Sequence, residues 1–184
     1  MRQQLKLHPD SHSLAVTQIE VEIVRPRDDS LVLSYIVTGN TSGIRMPPAT
    51  AGGRSDELWR HTCFEAFVRT TPDTTYYELN FSPSRQWAAY RFSSYRNGMR
   101  AADEISGLPI EIRSEPDRYT LQASLDLDRF SSLPRDSLWH LALSALIEER
   151  NGRMSYWALA HPSGKPDFHH ADGFAYEFSP AGPS

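Results

Sequence analysis

Apolar and charged side chains alternate one by one near the start of this chain. Ile19, Val21 and Ile23 are separated by Glu20 and Glu22, which is the period of two expected of a β-strand with one buried and one hydrated face. A helix would instead place apolar residues three and four apart. Similar short runs, bounded by Gly, Pro, Asn and Asp, recur along the 184 residues and predict an all-β fold.

The strand-like runs also predict a topology. Three closely spaced runs at residues 63–69, 75–82 and 87–92 indicate a meander, and Asn151-Gly152 between two further runs is the strongest hairpin signal. About ten such runs favour one antiparallel β-sandwich domain over residues 1–184, jelly-roll or immunoglobulin-like. Residues 39–56, rich in Gly, Pro, Ser and Thr, predict a flexible loop.

Composition excludes several classes of partner. The net charge of −4 provides no broad cationic surface for a phosphate backbone, so nucleic acid is not expected as a partner. The first 20 residues lack the apolar run of a signal peptide, and no stretch approaches the apolar length of a membrane span, so no membrane partner is expected. A single cysteine, Cys63, fits a reducing compartment, and we expect a cytoplasmic location. The oligomeric state is left open.

Alternation within the predicted meander indicates which side chains could meet a ligand. Tyr77, Leu79 and Phe81 form an apolar side, so Glu78 and Asn80 must face the other way. If Ala88, Tyr90 and Phe92 also belong to the core, one sheet face collects Glu65, Glu78, Asn80, Trp87 and Arg91. An indole beside such polar groups is typical of sugar recognition, because rings stack on C–H surfaces while the polar groups bind hydroxyls. The alternative is a set of cross-strand ion pairs on a hydrated sheet.

A loop near the C-terminus is dense in polar chemistry. Four of its residues are candidate ligand-binding groups: His161, Lys165, Asp167 and His169. Its histidines and aspartate could in principle ligate a metal, but no recognised ligand spacing occurs, and a structural loop is the simpler interpretation. Paired carboxylates such as Glu65 and Glu78 could hydrolyse glycosides only at suitable separations. Because any outward sheet face offers such pairs, we expect no enzymatic activity.

Three motifs in order resemble a known family. The runs ELWRHTCFEAFV (57–68), YYELNFSP (76–83) and WAAYRF (87–92) are followed by a closing segment from His161 to Phe174. Together they resemble bacterial DOMON-like domains, relatives of the family 9 carbohydrate-binding modules. The resemblance implies a β-sandwich of roughly ten strands that binds a ligand, with sugar or haem as the ligand classes. Because family 9 modules clamp sugars between tryptophans, it also implies Trp59 and Trp87 as the nearest clamp candidates.

Three functional hypotheses follow. A carbohydrate-binding module is favoured by the two tryptophans and by the polar sheet face. A haem or metal binder is suggested by His161, His169 and His170 together with the family resemblance, although no methionine can be assigned as an axial ligand. A protein-interaction domain without a small-molecule ligand is suggested by the long loop and the aromatic residues.

Overall fold

Thirteen β-strands and four short 3-10 turns make up the regular structure of this protein, seen in a computed structural model that describes residues 1–179. The all-β prediction is confirmed, and residues 180–184 of the predicted domain lie outside the described part. Residues 1–179 contain no helix long and apolar enough to span a bilayer. The strands are β1 (Arg2–Leu7), β2 (Val16–Arg27), β3 (Ser30–Gly39), β4 (Gly53–Arg54), β5 (Cys63–Thr70), β6 (Tyr76–Phe81), β7 (Gln86–Phe92), β8 (Arg100–Ala101), β9 (Ile110–Ser114), β10 (Arg118–Asp126), β11 (Trp139–Glu148), β12 (Met154–Ala158) and β13 (Tyr176–Phe178).

The strands form one curled sheet in the order β4-β7-β6-β5-β11-β12-β1-β2-β3-β10-β9, with β13 paired to β11 and β8 to β7. The predicted sandwich of two separate sheets is not confirmed. One half of the sheet runs from β4 to β12 and the other from β2 to β9, and β1 pairs with both. Leu5 pairs with Ile19 of β2, whereas Leu7 pairs with Trp157 of β12. A strand that changes partner along its length is a product of long-range pairing, which local alternation does not encode.

The main core lies where the two halves of the curled sheet face each other. Tyr35 of β3 is fully buried against Phe64 of β5, with ring centroids 5.1 Å apart, and Tyr119 of β10 stacks on the same Phe64 ring. The Tyr35 hydroxyl donates a 2.6 Å hydrogen bond to the backbone oxygen of Glu65. This buried bond satisfies a polar group that would be costly to leave unpaired in an apolar interior, and it ties β3 to β5.

The local predictions of topology are confirmed. Strands β5, β6 and β7 pair antiparallel in sequence, as a meander requires. Strands β11 and β12 form the hairpin predicted at Asn151-Gly152, and Gly152 adopts the positive φ of 84° that glycine tolerates without strain. Within the predicted loop 39–56, Arg54 donates hydrogen bonds to three backbone oxygens, those of Ala89, Ala102 and Ile105. The flexibility of the loop at residues 39–56 stays a prediction.

Candidate functional site

Two acids and an amide lie side by side on one face of β5 and β6. Glu65 is the register partner of Asn80, and Glu78 follows two residues away on the same face. The predicted hydrated sheet face is in fact covered, because Glu65 and Glu78 are only 4% and 5% exposed and Asn80 is fully buried. The shared orientation of these three residues agrees with the prediction from alternation.

Side chains from several loops and strands line a partly open cavity of about 480 Å³ above these acids. We call it the site cavity. The closing loop at residues 161–174 forms one wall, and the 3-10 turn Leu58–Arg60 forms another. The lining side chains are Trp59, Glu65, Glu78, Phe92, Arg96, Met99, Leu146, Met154, Tyr156, Pro166, Phe168 and His169. A concave, largely apolar site with a few polar groups is the usual form of a small-molecule site.

His169 lies beside Glu78 in the site cavity. Its Nδ1 lies 2.8 Å from the Tyr76 hydroxyl, and its Nε2 lies 3.7 Å from Oε2 of Glu78. The Tyr76 ring stacks on Phe92 with centroids 4.8 Å apart, which fixes the hydroxyl in place. Burial, with a smaller contribution from the charge of Arg96, lowers the pKa of His169 to about 4. The imidazole is therefore neutral near pH 7.

Asp167 joins two of the loops that surround the site cavity. It forms a 2.8 Å ion pair with Arg96, accepts a hydrogen bond from the Tyr95 hydroxyl and accepts a 3.1 Å bond from the backbone N–H of His169. Although burial acts to raise the pKa of Asp167, these partners outweigh it and the pKa is lowered. The ionised carboxylate thus fastens residues 95–96 to the closing loop.

Glu65 and Glu78 both have raised pKa values. Burial raises the pKa of Glu78 to about 7, despite the 2.9 Å hydrogen bond that Asn80 donates to its Oε1. Burial first, and the charge of Glu78 second, raise the pKa of Glu65 well above its usual range. Like charges on one buried surface cannot both ionise cheaply, so the pair retains protons at a pH where exposed glutamates have lost theirs.

Trp87 and Arg91, predicted on this face, lie on the opposite one. In the register, Trp87 pairs with Phe81 and Arg91 with Tyr77, both of which belong to the main core. Trp87 is 7% exposed and its ring lies under the guanidinium of Arg54. The predicted facing of β7 is wrong because both faces of this strand are buried and carry aromatic residues, so alternation of polarity does not distinguish them. Ala88, Tyr90 and Phe92 are the residues that share the face of Glu78.

The other predicted residues divide between the site cavity and its surroundings. Trp59 lines the site cavity, 5.8 Å from the Tyr90 ring. Lys165 lines a neighbouring depression together with Asp167 and His170, and Arg96 and Pro166 border both this depression and the site cavity. His161 lies away from both, where its Nε2–H donates a 2.8 Å hydrogen bond to the Lys6 backbone oxygen. The described residues contain no group of three or more His, Cys, Asp or Glu side chains placed to hold a metal ion.

Several residues that line the site cavity were not predicted from the sequence. They come from segments distant in sequence, and four of them are Arg96, Met99, Tyr156 and Phe168. Tyr156 shares one face of β12 with Met154, opposite the buried Ser155 and Trp157, but both faces carry apolar side chains, so polarity in the sequence does not distinguish them. Arg96 and Phe168 are loop residues, whose positions depend on tertiary contacts that no local periodicity reports.

Replacing Glu78 by Gln is expected to flatten the pH dependence of stability. Between the ordinary pKa of 4.5 and about 7, the unfolded chain loses the Glu78 proton while the folded chain keeps it, so the free energy of unfolding falls as pH rises through this window. Chemical denaturation at pH 5, 6 and 7 measures the slope. Glu111→Gln, at an exposed position of β9, is the control, and an unchanged slope in Glu78→Gln would contradict the assignment.

Comparison with known proteins rests on structure, because no protein-family model and no curated protein matches the sequence. A structure of a protein from Bacteroides uniformis ATCC 8492, thought to bind carbohydrate, aligns with a TM-score of 0.70 and 15% identity over 94% of this chain and 83% of that one. A family 9 carbohydrate-binding module from Caldicellulosiruptor kristjanssonii, solved with cellotriose, aligns with a TM-score of 0.51 and 12% identity over 87% of this chain and 74% of that one. At such identities the likeness concerns the fold, and the DOMON-like assignment stays a prediction. The chain therefore shares its all-β fold with structures that include a family 9 carbohydrate-binding module.

Proposed function

We propose that this chain is a carbohydrate-binding domain whose ligand occupies the site cavity. The observation that carries the proposal is the combination of two buried carboxyl groups with aromatic walls formed by Trp59, Tyr156 and Phe168. Sugar hydroxyls form hydrogen bonds with carboxyl groups in either protonation state, and sugar C–H faces pack on aromatic rings. The fold likeness to a module solved with cellotriose supports the same class of ligand.

The proposed ligand surface differs from the one expected from alternation. It includes Trp59, Glu65 and Glu78 directly, while Asn80 supports it by orienting the Glu78 carboxylate. Asp167 contributes by holding Arg96 at the cavity wall. Trp87 and Arg91 have no place in this surface because they face the main core.

Trp59→Ala is expected to weaken sugar binding by about 10- to 100-fold, since loss of one aromatic wall removes stacking and apolar burial. Calorimetric titration against a panel of mono- and oligosaccharides measures the effect, with thermal unfolding as the check of folding. The matched control is Trp87→Phe, which keeps the opposite face packed and is expected to bind as the wild type does. Equal loss in both variants, or no loss in Trp59→Ala, would contradict the proposed location.

Binding without catalysis is the second part of the proposal. One of the structures that share the fold of this chain is a carbohydrate-binding module. Hydrogen bonding to a sugar is a simpler role for the two acids than catalysis. Prolonged incubation with any oligosaccharide that binds is expected to release no new reducing ends.

The haem alternative fits the site less well. Met99, Met154 and His169 line the same cavity, but both ring nitrogens of His169 face protein groups, the Tyr76 hydroxyl and the Glu78 carboxylate. An iron ligand needs one of these nitrogens free. The absorption spectrum after addition of haemin tests this directly, and we expect no bound-haem band. The protein-interaction alternative stays a prediction that light scattering can test.

A further inference from the structure

The site cavity contains two acids that form no ion pair with an Arg or Lys side chain of residues 1–179. Glu65 has no cationic side chain within ion-pair distance among residues 1–179, and Glu78 approaches only His169. The register makes Glu65 and Glu78 diagonal neighbours on adjacent strands. Diagonal neighbours have Cβ atoms about 7–8 Å apart or somewhat less, within joint reach of one small group.

The other titratable groups around the acids do not supply an unpaired cation. Arg96 forms a 2.8 Å ion pair with Asp167, and its charge lowers the pKa of Glu65 and Glu78 by less than burial raises it. His169 is neutral near pH 7, because burial lowers its pKa to about 4. The remaining facing groups are Tyr76, Tyr90 and Cys63, whose pKa values are raised by burial and which stay uncharged. The local balance of charge is therefore acidic.

An uncompensated buried carboxylate is costly, and a protein avoids the cost by retaining a proton or by binding a cation. A primary ammonium group offers three donors in a compact volume, enough to reach both carboxylates at once. A neutral hydroxyl can also donate, but it leaves the negative charge uncompensated.

We infer that the sugar bound in the site cavity carries a free amine, and that Glu65 and Glu78 together hold its ammonium group. This inference rests on the proposed carbohydrate function and names the class of sugar. It excludes an N-acetylated sugar as the preferred ligand, because acetylation removes the charge that the two acids would compensate.

The amine should also displace protons from the two acids. Without ligand, Glu78 is largely protonated at pH 6.5 because its pKa is about 7, and burial also raises the pKa of Glu65. A bound ammonium lowers the pKa of both carboxyl groups. Binding of an amino sugar is therefore coupled to proton release, whereas binding of a neutral sugar is not. Proton release can therefore be measured on the wild-type protein and tests the inference without any substitution.

The experiment is calorimetric titration of the full chain with glucosamine, glucose and N-acetylglucosamine at pH 6.5. Two buffers of different ionisation enthalpy and without primary amines, PIPES and HEPES, report the protons released. We expect glucosamine to bind about 10-fold or more tightly than the other two sugars, since desolvated charge pairs contribute strongly to affinity. Its apparent enthalpy should differ between the buffers, and that of glucose should not.

Two isosteric variants assign the preference to the acids. Glu78→Gln and Glu65→Gln should each reduce the preference for glucosamine over glucose by about 10-fold, and Glu111→Gln on β9 should bind all three sugars as the wild type does. Equal binding of glucosamine and glucose without proton release would overturn the inference and leave the proposed function standing. A preference that survives in both Gln variants would overturn the assignment to the two acids. Binding of none of the three sugars would overturn both the inference and this version of the proposed function.

Discussion

Trp139→Ala is expected to lower the free energy of unfolding by about 3–5 kcal/mol, the range for truncating a large buried aromatic residue. Trp139 is 1% exposed at the first position of β11, where it pairs with Thr70 on one side and Phe178 on the other. Its ring packs 5.5 Å from that of Phe130. Its indole N–H also donates a 2.8 Å hydrogen bond to the Pro134 backbone oxygen.

Both the cavity left behind and the lost hydrogen bond contribute to the expected effect. The gap at the start of β11 would adjoin β5 on one side and β13 on the other. Urea denaturation followed by fluorescence or circular dichroism measures the change. Leu138→Ala is the matched control, since the neighbouring Leu138 is 44% exposed and its truncation should stay within about 0.5 kcal/mol. A loss below about 1 kcal/mol for Trp139→Ala would contradict the packing described.

Glu149→Ala is expected to destabilise the fold by about 3 kcal/mol, because one carboxylate oxygen serves three donors. Oε1 of Glu149 accepts hydrogen bonds from the Ser13 hydroxyl at 2.9 Å, the Leu14 N–H at 2.6 Å and the Ala15 N–H at 2.9 Å. Glu149 is 2% exposed. Its removal leaves a buried backbone donor at Ala15 without a partner, at the entry to β2.

The same contact predicts a pH signature. Burial acts to raise the pKa of Glu149, but the hydrogen bonds from Ala15, Leu14 and Ser13 outweigh it, and the pKa lies below the ordinary value of 4.5. The stabilisation by ionised Glu149 is thus complete above the unfolded pKa and is lost as pH falls through the folded one. The difference between wild type and Glu149→Ala should be largest near pH 7 and should narrow below pH 4.5. Glu177→Ala, at an exposed position of β13, is the control, and a difference independent of pH would contradict this account.

The two predicted acids show how far local patterning extends into the site. Glu65 and Glu78 were expected on one face because β5 and β6 alternate cleanly around Phe64, Leu79 and Phe81, and the register confirms it. That they are buried was not predictable, since burial depends on a closing loop about 90 residues away. His169, which was predicted as a candidate ligand-binding group, lies beside them only because that loop folds back.

Strand β7 shows where the same logic fails. Its two alternating sets are Gln86, Ala88, Tyr90 and Phe92, and Trp87, Ala89 and Arg91. Each set contains one polar residue and at least one aromatic residue, so polarity is a poor guide to which set faces the core. The register with β6 decides, and it assigns Trp87 to the main core and Phe92 to the site cavity.

Local sequence patterns were enough to predict the all-β class, the meander, the Asn151-Gly152 hairpin and the shared face of Glu65 and Glu78. These features depend on the side-chain period of two and on turn chemistry, which are properties of a few consecutive residues. Three other features are evident only in the folded protein: β1 joins both halves into one curled sheet, Trp87 faces inward, and Trp59, Arg96 and His169 surround the two acids. Those outcomes depend on pairing between distant segments, whose free energy is summed over the whole core and is not encoded in any one segment.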